Sequence, residues 1–139
     1  MYRALSIADN LQMASIIDAK FTEAGWMNEV VSFNTIILGN SNAGNGYHCI
    51  VLVVDNKFVS RFGSAIKEMT SIVKKLSKCA PLYLVFEGEY DQCYESWLTC
   101  AKKIYKSDLY ENQLQITIDE IVSAESRAVS RESFISPMG

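Results

Sequence analysis

The chain carries a single histidine, His48, and no two of its four cysteines stand at C-x2-C spacing. His48 precedes an apolar run and has no Ser or Cys partner placed by sequence. It reads as a strand-edge residue rather than a catalytic base. Without the C-x2-C pair the usual zinc signature is missing. Long apolar stretches are absent too, and those present fall far short of a membrane span. No signal-peptide pattern opens the chain and no internal repeat appears. Lys and Arg are scattered, with a formal net charge of -3, so the basic stripe of a nucleic-acid binder is missing. These absences lead to the expectation of a cytoplasmic protein with no membrane and no direct nucleic-acid contact. Its thiols, Cys49, Cys79, Cys93 and Cys100, are expected to be reduced and partly buried, Cys49 beside an apolar strand and Cys93 and Cys100 in a helix.

What is present is enough apolar material for a full core. At 139 residues and 49% hydrophobic, the chain fits one domain and argues against disorder. Residues 3–8 read as a buried strand. Asn10 can cap a helix in which Leu11, Ala14, Ile17, Phe21 and Ala24 recur at helical spacing, and Gly25 ends it. Val30, Val31, Phe33 and Ile36 predict a second strand, whose end the apolar, β-branched run Thr35–Leu38 leaves open. Residues 39–46, Gly-Asn-Ser-Asn-Ala-Gly-Asn-Gly, form a loop. Gly39-x4-Gly44 has the glycine spacing of a phosphate loop. However, Asn45-Gly46 stands where Lys-Ser/Thr belongs, and no helix begins there.

A third strand is predicted at 49–54, followed by a helix burying Ala65, Ile66, Met69, Ile72, Val73 and Leu76. Pro81–Phe86 makes a fourth strand. Asp91 can cap a third helix with Tyr94, Trp97, Leu98 and Ala101 on one face. A short fifth strand is placed near 103–106. Asp108-x-x-Glu111 resembles a capping box, and the last helix buries Leu114, Ile118, Ile121 and Val122. From about 126 to 139 a Ser- and Arg-containing polar tail follows, either a linker or a frayed terminus. Alternating strands and helices imply a parallel sheet covered on both faces.

Two acids end two of the apolar runs. Asp9 follows Ala4-Leu5-Ser6-Ile7-Ala8, and Asp55 follows Ile50-Val51-Leu52-Val53-Val54. Open α/β sheets build their sites at such carboxyl ends. Two carboxylates there can share a divalent cation, and with Lys106 downstream they outline a phosphoryl-transfer site.

Residues 2–125 resemble response-regulator receiver domains of the CheY-like family. The resemblance rests on the strand ending in Asp9-Asn10, on Asp55 at the phospho-acceptor position, and on Gly63 eight residues later. It rests also on Pro81 opening the fourth strand and on Lys106 ending the fifth. It implies a flavodoxin-like three-layer sandwich around a five-stranded parallel sheet. It implies Mg2+ held by Asp9, Asp55 and the backbone carbonyl of Lys57, with Lys106 pairing to phosphoryl oxygens. A histidine kinase or other signalling protein would be the partner, in a two-component phosphorelay that feeds, for example, transcription regulation.

The chain departs from that pattern in one region. Ala8 stands where receivers place their first acid, and Phe86 where a Ser or Thr hydroxyl should bind a phosphoryl oxygen. Ser107 replaces the Pro that usually follows the Lys. At the position of the switch aromatic stand Lys103 and Ile104, with Tyr105 pointing to the other face. The reading is a pseudo-receiver: a regulatory module rather than an enzyme, with phosphorylation weakened or lost. It would act by protein contact, as a homodimer through residues from about 91 to 125. The competing reading is a small flavodoxin-like enzyme or ligand-binding domain that wraps a molecule in the 39–46 loop. Glu87 and Glu89 read as solvated loop acids, and Lys74-Lys75 and Lys102-Lys103 as solvated helix faces.

Overall fold

A computed structural model describes residues 2–38, 46–55, 66–87, 95–107 and 111–135. Among the described residues five strands and five helices alternate. They are β1 Arg3–Ile7, α1 Leu11–Glu23, β2 Met27–Val31, α2 Phe33–Leu38, β3 Cys49–Val54, α3 Ile66–Cys79, β4 Leu82–Glu87, α4 Glu95–Leu98, β5 Lys103–Ser107 and α5 Glu111–Ile135. All strand pairs are parallel, and the order is β2-β1-β3-β4-β5. This is the doubly wound order 2-1-3-4-5 that the alternation implies, with the strand order reversing at β1 and β3.

Period-two alternation along the central strands feeds two separate cores. Ile50, Leu52 and Val54 of β3 and Leu82, Leu84 and Phe86 of β4 pack with Phe33, Met69, Val73, Leu76 and Trp97. Cys49, Val51, Val53, Tyr83 and Val85 face the other way, among Met13, Ile17, Phe21, Trp26, Leu114, Ile118 and Ile121. Helices α2, α3 and α4 therefore cover one face, and α1 and α5 the other. Because β3 is buried on both faces along its whole length, it reads as an unbroken apolar run rather than as an alternating one. The two tryptophans lie in different layers. Trp26 Nε1 donates to Ser126 Oγ at 3.1 Å, and Trp97 Nε1 to Thr70 Oγ1 at 2.7 Å.

Local signals set the first helix. Asn10 Oδ1 accepts from the backbone N–H of Gln12 (2.9 Å) and Met13 (3.2 Å), a cap of the kind that stabilises a helix by about 1 kcal/mol. Gly25 follows the C-cap with φ of +81°, a left-handed conformation that costs glycine little. Leu11 does not join the buried face as expected. It is 84% exposed, and Ala24 is exposed as well.

The second strand is shorter than the sequence implies. It stops at Val31, and Phe33–Leu38 coils into α2. Ser32 Oγ accepts from Thr35 N at 3.3 Å, and Asp9 Oδ1 from Phe33 N at 3.3 Å. These two side chains satisfy amide donors that a helix start leaves open, and they outweigh the β-branched composition of the segment.

The third predicted helix, described over Glu95–Leu98, also ends early, and Cys100 and Ala101 belong to the turn and entry to β5 rather than to a helix. Trp97 is buried on its predicted face. Lys102-Lys103 is not a helix face at all, since Lys103 opens β5. The last helix runs through the polar stretch to Ile135. The 39–45 part of the predicted loop lies outside the described residues, as do Lys57, Gly63, Ala65, Glu89, Asp91, Cys93, Tyr94 and Asp108.

Candidate functional site at the carboxyl edge of the sheet

The register carries the candidate residues to one edge. Ile7 pairs with Leu52, Val54 with Phe86, and Phe86 with Lys106. Asp55 directly follows Val54, and Asp9 comes two residues after Ile7. The backbone of Lys106 is thus two strands from the residue before Asp55, about 10 Å at the usual strand spacing. The backbone of Asp9, Asp55 and Lys106 therefore comes to the same edge of the sheet, with β1 and β3 neighbours and β5 beyond β4.

The two acids differ in environment. Asp55 is 3% exposed, so a group approaching its carboxylate must displace what covers it. Asp9 is half-buried, and one of its oxygens holds the Phe33 amide at the start of α2. That contact gives Asp9 a structural task, since removing it would leave the Phe33 amide without that acceptor.

The neighbours that depart from the receiver pattern are packed into the cores. Ala8 is 6% exposed and belongs to the α1–α5 cluster. Its N–H donates to Val31 O at 3.1 Å. Phe86 is 2% exposed, with its ring among Phe33, Val54, Leu84 and Trp97 on the opposite face. The ring offers no hydroxyl to an anion. The same row of the sheet therefore presents carboxylates at its tip and hydrocarbon directly behind them.

A divalent cation such as Mg2+ takes six oxygens in octahedral geometry and commonly keeps several of its waters. Asp9 and Asp55 are two carboxylates that β1 and β3 bring to this edge. Among the described residues no group of three or more His, Cys, Asp or Glu side chains could hold a metal ion. The donor set fits a hydrated Mg2+ held by two carboxylates, not a closed protein cage.

A second polar centre, which the sequence reading did not single out, sits at the opposite, amino-terminal edge. Glu125 of α5 has a side chain only 3% exposed. Its Oε1 accepts from the Tyr83 hydroxyl and from Lys102 Nζ at 2.5 Å. Lys102 Nζ also lies 5.9 Å from the centre of the Tyr83 ring. Burial pushes the nearby Cys49 thiol far up from its usual range, and the Glu125 charge adds to that shift. A cleft of about 600 Å3 opens beside this cluster, lined by Tyr83, Lys102, Lys103, Asp119, Glu120 and Arg127 among others. The signal for Glu125 was its place on the buried stripe. It falls at helical spacing after Leu114, Ile118 and Ile121, a face on which a lone acid needs a partner.

His48 is a strand-edge residue, as predicted: its Nδ1 accepts from Arg3 N at 3.0 Å. Lys74 and Lys75 are exposed on α3. Cys49, Cys79 and Cys100 are free. No helix among the described residues is long and apolar enough to cross a membrane.

No family model matches the sequence, and no curated protein does. Solved structures do match. A response regulator from Hahella chejuensis superposes with a TM-score of 0.64 at 16% identity, covering 90% of this chain and 95% of that one. A CheY-like response regulator from Mesorhizobium loti gives 0.62 at 9% identity, covering 87% and 98%. A response regulator receiver domain from Rhodospirillum rubrum gives 0.58 at 16% identity, covering 86% and 90%.

Proposed function

We propose that this chain, which has the fold of response-regulator receiver domains, is an atypical member of that class acting in the cytoplasm as a regulatory module rather than an enzyme. Asp55 is its candidate phospho-acceptor, and phosphoryl transfer there is weakened or lost. The observation that carries the reading is the pairing of Asp9 and Asp55 at one sheet edge with Ala8 and Phe86 buried immediately around them. The carboxylates and the Lys106 position keep the outline of a phosphoryl site. The side chains that would complete it are hydrocarbon.

In this reading Asp9 and Asp55 would hold a hydrated Mg2+, with the Lys57 carbonyl as a further ligand. The ion would supply charge neutralisation for an incoming phosphoryl group. The chain's own residues do the rest. Asp55 provides the attacking carboxylate oxygen, Asp9 keeps α2 docked through the Phe33 amide, and Lys106 pairs with phosphoryl oxygens. The Phe86 ring has no hydroxyl to offer a phosphoryl oxygen, so the phosphorylated state has less to distinguish it from the resting one.

The output is protein contact. A histidine kinase or another signalling protein is one partner, and a second copy of the chain is another, through the surface from about 91 to 125. That surface presents Ile116, 60% exposed, beside charges of both signs. Lys103 and Glu120 lie 4.0 Å apart across it. Charge reversal on Lys103 and Asp119 should abolish self-association measured by sedimentation. Unchanged association would remove this surface from the proposal.

The deciding experiment is the intact mass of the protein after incubation with Mg2+ and acetyl phosphate, with Asp55→Asn as control. A trace adduct or none, on folded protein, is the expected result. A stoichiometric adduct that disappears in the control would show a working phospho-acceptor and overturn the degenerate part of the reading.

A further inference from the structure

Cys79 is the last residue of α3, and Cys100 stands in the turn between α4 and β5. The sheet brings these two places together. Lys102 N donates to Leu82 O at 2.7 Å, and Tyr83 pairs with Lys103, so the entrances of β4 and β5 are side by side. Ala80 precedes Leu82 by two residues, as Cys100 precedes Lys102. Ala80, the residue after Cys79, and Cys100 thus stand at matching places ahead of two neighbouring strands, and such strands run about 4.8 Å apart. A disulfide spans Cα separations of about 4–7 Å.

Both side chains are half-buried and pack on the rim of the same apolar cluster. Both line one cleft of about 440 Å3, together with Ser77, Lys78, Pro81 and Lys102. Each thiol donates only to a carbonyl of its own helical turn, Cys79 Sγ to Lys75 O at 3.4 Å and Cys100 Sγ to Trp97 O at 3.3 Å. A thiol is a weak donor, so a rotation about χ1 gives up little. Cys49 differs on every count: it is fully buried, in the other layer, with its ionisation opposed by burial.

We infer that Cys79 and Cys100 form a paired thiol site that closes to a disulfide by exchange with a small-molecule disulfide of the oxidised-glutathione class. One cysteine thiolate attacks a sulfur of the reagent. The reagent's S–S bond breaks, and one small thiolate leaves and takes up a proton. The second cysteine thiolate then attacks the protein sulfur of the mixed disulfide and releases the second small thiol. Two protein thiols are oxidised, one reagent disulfide is reduced to two thiols, and the two protons lost by the cysteines end on those thiols. The bond ties the end of α3 to the α4–β5 turn. The inference does not depend on the receiver reading.

The test uses the full chain carrying Cys93→Ser, which removes the remaining competing thiol. The protein is incubated with oxidised glutathione, quenched in acid, alkylated under denaturing conditions and weighed, and its peptides are mapped. The expected result is a loss of two hydrogens in most of the protein, with Cys79 and Cys100 joined and Cys49 alkylated. Cys79→Ser and Cys100→Ser should instead each keep a single glutathione adduct. Thiols that stay reduced, two persisting glutathione adducts, or a bond to Cys49 would each overturn the inference. Mapping of the chain without the two serine variants decides the matter even where one of them fails to fold.

Discussion

Glu125 on α5 and Tyr83 on β4 are joined by a hydrogen bond with the carboxylate 3% exposed, so the last helix is fastened to the sheet by a buried acid as well as by its apolar stripe. A buried carboxylate is tolerated only with donors to hold it. Here Tyr83 and Lys102 are both on Oε1.

Replacing Glu125 by Ala should lower stability by about 2–3 kcal/mol, because the Tyr83 hydroxyl loses its acceptor and a cavity opens. Lys102 is 47% exposed and regains water, which keeps the loss below that of a fully buried pair. Glu125→Gln retains an acceptor and should cost about 1 kcal/mol. Urea unfolding of the two variants measures the difference. Equal losses would mean that packing alone, and not the acceptor, matters there.

Stability should fall on the alkaline side. The Cys49 thiol is held up from its ordinary value of 9.0 by burial, and the Tyr47 phenol from 10.0 by burial and by its bond to Glu29. Raised folded-state values mean that the native chain binds more protons than the unfolded one above the ordinary values. The contribution is therefore full below them and is lost progressively as pH rises through the folded ones. Denaturation between pH 7 and 11 should show this decline, and Cys49→Ala should flatten it. A wild-type profile that rises over that window would contradict the burial of the thiol.

Asp9 should behave as a cap even with no cation present. Asp9→Ala is expected to cost about 1 kcal/mol through the lost Phe33 contact, while Asp9→Asn, which keeps an acceptor, should cost a few tenths. Thermal unfolding without divalent ions separates the two. Equal losses would assign the effect to charge.

Phe86→Thr tests whether the aromatic ring is what disables the site. The variant should lose on the order of 3 kcal/mol from the core. Once it is shown to be folded by circular dichroism, it should give more Asp55 adduct with acetyl phosphate and Mg2+ than the parent chain. An adduct no larger than the parent's would shift the blame to Ala8.

The sheet and most of the core were legible because the relevant signals are local. Unbroken apolar runs mark β3 and β4, and Asn10 and Gly25 bracket α1 with residues suited to those positions. Two features were hidden because they depend on tertiary partners. Thr35–Leu38 is apolar and β-branched enough to pass for strand, and the helix it joins is held at its start by Asp9, 24 residues before Phe33 in sequence, as well as by Ser32. Lys102 looks like a solvated charge until β5 places it against Glu125. The carboxylates at the sheet edge could be read from where the strands end. The burial of Asp55 could not, since it depends on what packs over the tip.

The separation of Trp26 and Trp97 into the two layers has a practical consequence. Each indole reports on its own side of the sheet, Trp26 beside Ser126 of α5 and Trp97 beside Thr70 of α3. Trp26→Phe and Trp97→Phe each leave one emitter, and the chain has only two tryptophans. Fluorescence from the two single-emitter proteins would follow the layers independently. Coincident transitions would mean that the sandwich melts as one cooperative unit, and separated ones that one layer peels away first.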